Sequence, residues 1–299
     1  MGVYRSGIVA VVGKPNVGKS TMINAIVGQK VSIVSDKAQT TRRRIMGVST
    51  EGDRQIVFID TPGIHKATHK LGHALNETAK ASVDGVDVLL IVVDSSRMPS
   101  KEDRDVALIL REAGVWETST PKILCMNKMD MLKAEDVERN YAAYQELFPA
   151  DEWMMTSFTR NSNVDKLVNM LVSRLPEGPP LYPEDTVTDQ SMRSLAGELV
   201  REKALHLTRQ EVPHALATYV ENWDEDDKLV HIAVVLLVER EGHKGIIIGK
   251  KGGMLKKIGT LAREEIEPMV GKKVFLELFV KVREDWRGNV RMLQELEYL

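Results

Sequence analysis

The chain has 299 residues, 43% hydrophobic and 28% charged, which is room for about two globular domains. Its formal net charge of -2 excludes a global pull on polyanions, so any nucleic-acid surface must be a local patch. The single cysteine, Cys125, excludes an internal disulfide and reads as a buried hydrophobe in a reducing compartment; no apolar run approaches the roughly 18 to 20 residues of a membrane span.

The run SGIVAVV predicts a core strand that leads directly into GKPNVGKS, Gly13 to Ser20, and then into a helix, TMINAIV, from Thr21. In the order Gly13, Lys14, Pro15, Asn16, Val17, Gly18, Lys19, Ser20, this is a phosphate-binding loop in the setting the motif demands. Backbone amides curl round a β-phosphate at the helix N-terminus, Lys19 neutralises the β and γ oxygens, and Ser20 offers a hydroxyl to Mg²⁺. In KAQTTRRR, Thr40 or Thr41 is placed to complete the Mg²⁺ shell, and Thr41 is preferred. Arg42, Arg43 and Arg44 read equally well as phosphate ligands or as a solvated basic loop.

RQIVFID predicts the next strand, ending in DTPG: Asp60 suits Mg²⁺ through water, and the Gly63 amide is placed to register a γ-phosphate. Ile64 follows, an apolar residue that cannot orient the attacking water. His65, His69 and His73 recur every four residues but lack the carboxylates of a metal site. Strands DVLLIVVD, PKILCMN and DEWMMTS alternate with helix-like segments, which predicts a doubly wound, mainly parallel sheet with ligands beyond the strands' carboxyl ends. NKMD, Asn127, Lys128, Met129 and Asp130, ends one of these strands, and the Asp130 carboxylate matches guanine's adjacent N1 and amine donors.

LPEGPPLYPED holds four prolines and one glycine in eleven residues and marks a boundary: 1–178 a first domain, 179–190 a linker, 191–299 a second domain. Beyond it come a helix, SMRSLAGELVREKALHL, two strands joined by the acidic turn DEDD, two helices around Gly249-Lys250-Lys251-Gly252, and a last strand, KKVFLELFVKV. The G-x-x-G loop between helices is the device with which KH domains clamp about four nucleotides of single strand. From Arg240 to Lys257 six basic residues, including Lys244, Lys250, Lys251, Lys256 and Lys257, face one acid, Glu241. Ile246, Ile247 and Ile248 read mostly as core, with Ile248 a candidate for the base groove, and Trp286 as packing.

GKPNVGKST, KAQTTRRR, DTPG and NKMD, in that order and spacing, resemble the Era family of translation-associated GTPases over the whole N-terminal domain, and the G-x-x-G with its flanking elements resembles the KH version fused to Era GTPases. The resemblance implies a P-loop GTPase domain followed by an α+β type II KH domain. It implies GTP hydrolysis to GDP with Mg²⁺ held by Ser20, Thr41 and Asp60, and Lys19, Thr41, Gly63 and Asn16 as the catalytic set. It also implies K⁺ bound near Asn16, and a last guanine-contacting loop at Ser157 and Phe158, where Phe158 and the absence of a following glycine depart from the family's pattern. The implied partner is the 3′ end of 16S ribosomal RNA during small ribosomal subunit assembly, for a cytoplasmic monomer whose peripheral membrane contact stays open. The γ-phosphate is expected to order the Thr41 and Gly63 loops and so to bias the KH domain and its groove. Two rivals are an RNA-binding scaffold with nucleotide as structural ligand and a tRNA-modification GTPase, which carries other domains.

Overall fold

Continuous apolar strands need cover on both faces, and the first unit supplies it. A computed structural model describes residues 3–37, 40–63, 70–209 and 212–298. The strands β1 (Arg5–Val12), β2 (Ile45–Glu51), β3 (Arg54–Asp60), β4 (Val88–Asp94), β5 (Lys122–Asn127) and β6 (Glu152–Met155) form one sheet in the order β2-β3-β1-β4-β5-β6. Only β2 runs antiparallel to its neighbour.

On one face Val88, Leu90 and Val92 of β4 join Met22 and Ile23 of α1 (Lys19–Val27) and Leu167 and Leu171 of α5 (Val164–Arg174). On the other, Leu89, Ile91 and Val93 meet Ala79 of α2 (Lys70–Ala81), Val106 and Leu110 of α3 (Lys101–Glu112) and Tyr144 of α4 (Val137–Leu147). Cys125 is fully buried in the first cluster, and burial pushes its thiol up to about 12.

β2, IMGVSTE, was not expected from the sequence. It is an edge strand in which a β-carbon on Gly47 would lie 2.7 Å from Ile23 Cγ2, so the glycine marks a close helix approach. Residues 179–189, read as linker, belong to the first unit. The Gln55 side chain holds the Leu181 and Tyr182 amides and the Tyr182 carbonyl, Thr188 Oγ1 donates to the Met46 carbonyl, and Asp189 Oδ1 accepts from the Met46 amide.

The second unit takes the chain from Gln190 onward, together with Ile33–Lys37, Thr40 and the first residues of α2. Strands β7 (Ala217–Glu225), β8 (Leu229–Val238) and β9 (Lys273–Val282) form a sheet in that order, β7 antiparallel and β9 parallel to β8. The parallel pair requires a crossover, which α7 (Glu241–Ile248) and α8 (Gly253–Val270) provide. With α6 (Met192–Leu207) they share an apolar core of Leu199, Val234, Leu236, Ile247, Ile258 and Ile266. Ile33 is buried in the same cluster; the Val34 amide donates to Glu202 at 2.8 Å and its carbonyl lies 2.9 Å from His206 Nε2. Trp286 is fully buried and donates to the Ala215 carbonyl, and α9 (Val290–Glu295) closes the chain as an element not expected from the sequence.

Candidate functional site

The loop after β1 is shaped by backbone that only glycine or asparagine adopts readily: Gly13, Asn16 and Gly18 have φ of 152°, 64° and 105°. Lys19 is buried and donates to the Gly13 and Lys14 carbonyls at 2.9 and 3.0 Å, so its ammonium lies inside the loop. Burial pulls that ammonium down to about 8, against the charge of Asp60.

Ser20, Thr41 and Asp60, from three separate segments, converge. Ser20 Oγ donates to Asp60 Oδ2 at 2.7 Å and lies 3.0 Å from Thr41 Oγ1, which is 3.4 Å from the same carboxylate oxygen. Ser32, which the sequence reading did not single out, donates to Asp60 Oδ2 at 2.9 Å. Asp60 Oδ1 is buried without a hydrogen-bond partner among the described residues. Burial pushes the Asp60 carboxyl up, against Lys19 and the three hydroxyls. An all-oxygen cluster with an orphaned carboxylate oxygen fits a hard divalent cation such as Mg²⁺.

Gly63 lies against Pro15 of the loop. Ile64, His65 and His69 fall outside the described residues, while His73 is exposed on α2. Arg42 is buried, Arg43 half-buried and Arg44 exposed, so the basic run is not one solvated face. The Lys14 side chain turns out of the loop: its ammonium pairs with buried Asp103 at 2.7 Å and bonds Ser100 at 3.0 Å, where Asp103 also closes the capping box of α3.

Past β5, Asn127 Nδ2 donates to the Val17 carbonyl at 2.7 Å and so ties the base loop to the phosphate loop. Lys128, at φ 64°, pairs with Asp94 at 2.7 Å, and Asp130 lies 3.4 Å from Arg160 Nε. The Phe158 side chain is buried in the apolar core while its amide donates to Asn127 Oδ1 at 3.3 Å. Ser157 and Ser162 exchange backbone hydrogen bonds across the loop. Asn161 and Asn163, at φ 52° and 60°, take the left-handed turns for which the sequence comparison sought a glycine.

In the second unit Gly249, Lys251 and Gly252 have φ of 70°, 53° and 75°, and Lys250 and Lys251 are exposed. Gly249 is also pressed against α8, where a β-carbon would lie 2.6 Å from Met254 Cβ. Ile247 is core, Ile248 half-buried, Ile246 exposed, Lys244 half-buried, and Lys256 and Lys257 exposed.

A groove of about 490 Å³ runs from Gly252 along α8 and β9, lined by Leu255, Lys256, Gly259, Thr260, Arg263 and Leu278 among others. Gly259, Thr260 and Arg263 escaped the sequence reading, although they continue from Lys256 at the three- and four-residue spacing of one helix face. No helix among the described residues is long and apolar enough to cross a membrane.

A family model described as 50S ribosome-binding GTPase matches residues 8–128, and one described as KH domain matches residues 211–287. The chain is 45% identical over 297 residues to GTPase Era of Geobacter metallireducens, covering 99% of this chain and 98% of that one. A crystal structure of Era with MgGDPNP and nucleotides 1506–1542 of 16S ribosomal RNA superposes with a TM-score of 0.92 at 40% identity, covering 99% of both chains. A variant of Aquifex aeolicus Era bound to GDP and AlF4⁻ has the same score and identity and covers 98% of this chain and 99% of its own. Two matched domains in this order, and this identity over nearly the full length, place the chain in the Era family of GTPases, with a P-loop domain followed by a KH domain.

Proposed function

We propose that this GTPase turns over GTP at the Lys19 loop while the Gly249–Gly252 loop and its groove hold the 3′ region of 16S ribosomal RNA, in the service of small-subunit assembly. The observation that carries the nucleotide half is the meeting of Ser20, Thr41 and Asp60 around an orphaned carboxylate oxygen. The RNA half rests on the exposed Lys250-Lys251 pair, which directly precedes Gly252 in the groove lining.

In this reading the amides from Asn16 to Thr21 cradle the phosphates and Lys19 turns from the loop carbonyls to the β and γ oxygens. Mg²⁺, when bound, supplies Lewis-acid neutralisation of those oxygens. Asp60 and the hydroxyls of Ser20 and Thr41 are the protein groups that hold it. Asp130 reads guanine's two donors, with Asn127 fixing the loop, Lys128 flanking the base, and the Ser157-Phe158 backbone as the last contact to the base. Asn16 is the place for a potassium ion that offsets developing charge.

GTP turnover by the full chain, with and without the 16S fragment, tests this. Turnover lost in Lys19→Ala and raised by RNA is expected; bound but unhydrolysed GTP would instead make the nucleotide a structural ligand.

A further inference from the structure

Three hydroxyls converge on Asp60 Oδ2, and the proposed reading gives two of them, Ser20 and Thr41, to the cation. Ser32 has no such duty, yet it is fully buried and donates to that oxygen at 2.9 Å. The backbone that carries it is clamped to α1. Asn24 Oδ1 accepts from the Val31 and Ser32 amides at 2.9 and 3.0 Å, and Asn24 Nδ2 donates to the Ser32 carbonyl at 2.7 Å. Asn24 stands four residues after Ser20 in α1, the spacing of one helix face. Both serines that meet at Asp60 are thus referenced to one helix, Ser20 directly and Ser32 through the Asn24 amide. Val31 adds an apolar anchor in the cluster that holds Met22 and Ile23.

Asp60 is fixed on its backbone side: it is in register with Val11 across β3 and β1, and the Thr61 hydroxyl donates to the Val11 carbonyl at 2.7 Å. What stays free is rotation of the carboxylate about its side-chain bonds. We propose that Ser32 is a positioning residue for the cation site. Its hydroxyl pins Oδ2 and so reserves Oδ1, buried without a hydrogen-bond partner among the described residues, for Mg²⁺ or its bound water. The proposal rests on the reading of Ser20, Thr41 and Asp60 as the Mg²⁺ site. A neutral hydroxyl orients the carboxylate without cancelling the charge that attracts a cation. Thr41, the most distant of the three at 3.4 Å, lies in a loop expected to order with the γ-phosphate; the clamped Ser32 serves the GDP state as well.

Release of a fluorescent GDP analogue from the full chain, followed at varied free Mg²⁺ and again in EDTA, tests this. Mg²⁺ is expected to slow release from the parent chain. Ser32→Ala should need about 10- to 100-fold more Mg²⁺ for the same slowing, the usual weight of an outer partner of a metal-binding group, with release in EDTA unchanged. Ser32→Thr, which keeps the hydroxyl, restores the parent's Mg²⁺ dependence; Ser32→Cys, a weak donor of similar size, does not.

An unaltered Mg²⁺ dependence in Ser32→Ala and Ser32→Cys would overturn the proposal. So would release accelerated as much in EDTA as in Mg²⁺, the mark of a hydroxyl that only supports the fold. Asp60→Ala is measured alongside. If it keeps the parent's Mg²⁺ dependence, the cation reading fails and the proposal with it; if it loses that dependence while both Ser32 variants keep it, the proposal alone fails.

Discussion

Gly63 and Pro15 are in direct backbone contact: a β-carbon built on Gly63 would lie 2.8 Å from the proline ring carbon Cγ and 2.9 Å from its nitrogen. The loop that is to sense the γ-phosphate thus rests on the loop that is to bind it. Gly63→Ala forces one of the two backbones to move. GTP turnover is expected to fall tenfold or more, with GDP affinity changed far less, as read by single-turnover hydrolysis beside a GDP titration.

The Lys19 ammonium, held at about 8 by burial, meets polyphosphate anions on binding, which raise it. A group whose bound-state pKa is raised contributes affinity that is full below its free pKa and is lost as pH climbs above it. GDP affinity is therefore expected to fall as pH rises from about 8 toward 10, with proton uptake on binding in that window. Calorimetry in buffers of different ionisation enthalpy reads the uptake; none at pH 8.5 would assign the affinity to other groups.

Much of this was legible because phosphate and base recognition are carried by short contiguous runs: GKPNVGKS, DTPG and NKMD each sit at a strand end, where the doubly wound sheet puts ligands. The rest depends on distant partners. Ser32 approaches Asp60 across 28 positions, and Lys14 leaves the loop for Asp103. β2 escaped because Gly47, Ser49 and Thr50 interrupt its apolar pattern while the sheet supplies its pairing. Phe158 looked like a defect in the base loop, yet the NSN that follows supplies the left-handed turns and the ring fills core space.

In the proposed reading Asp130 sets the base by accepting two hydrogen bonds; its carboxylate lies 3.4 Å from Arg160 Nε. Asp130→Asn turns one acceptor into a donor. GDP affinity should drop by about 10² or more and xanthosine diphosphate, which presents a carbonyl where guanine has its amine, should gain. Competition against labelled GDP measures both; unchanged selectivity would remove Asp130 from base recognition.

Asn16, left-handed and exposed in the phosphate loop, is in the proposed reading the place for a monovalent cation that offsets charge on the transferring phosphoryl group. Hydrolysis is expected to be several-fold faster in potassium than in sodium, and Asn16→Ala should erase the difference. Equal rates of the parent chain in both salts would dismiss the ion.

The division of labour between the two glycine loops is tested most directly by Gly252→Asp. Apart from its chain neighbours, no atom of the described residues lies within 4 Å of a β-carbon at this position, and its φ of +75° adds a backbone cost of about 1–2 kcal/mol. GDP and GTP affinities are expected to equal those of the parent chain, with binding of the 16S fragment lost. A variant that bound RNA normally, or that lost nucleotide together with RNA, would contradict that division.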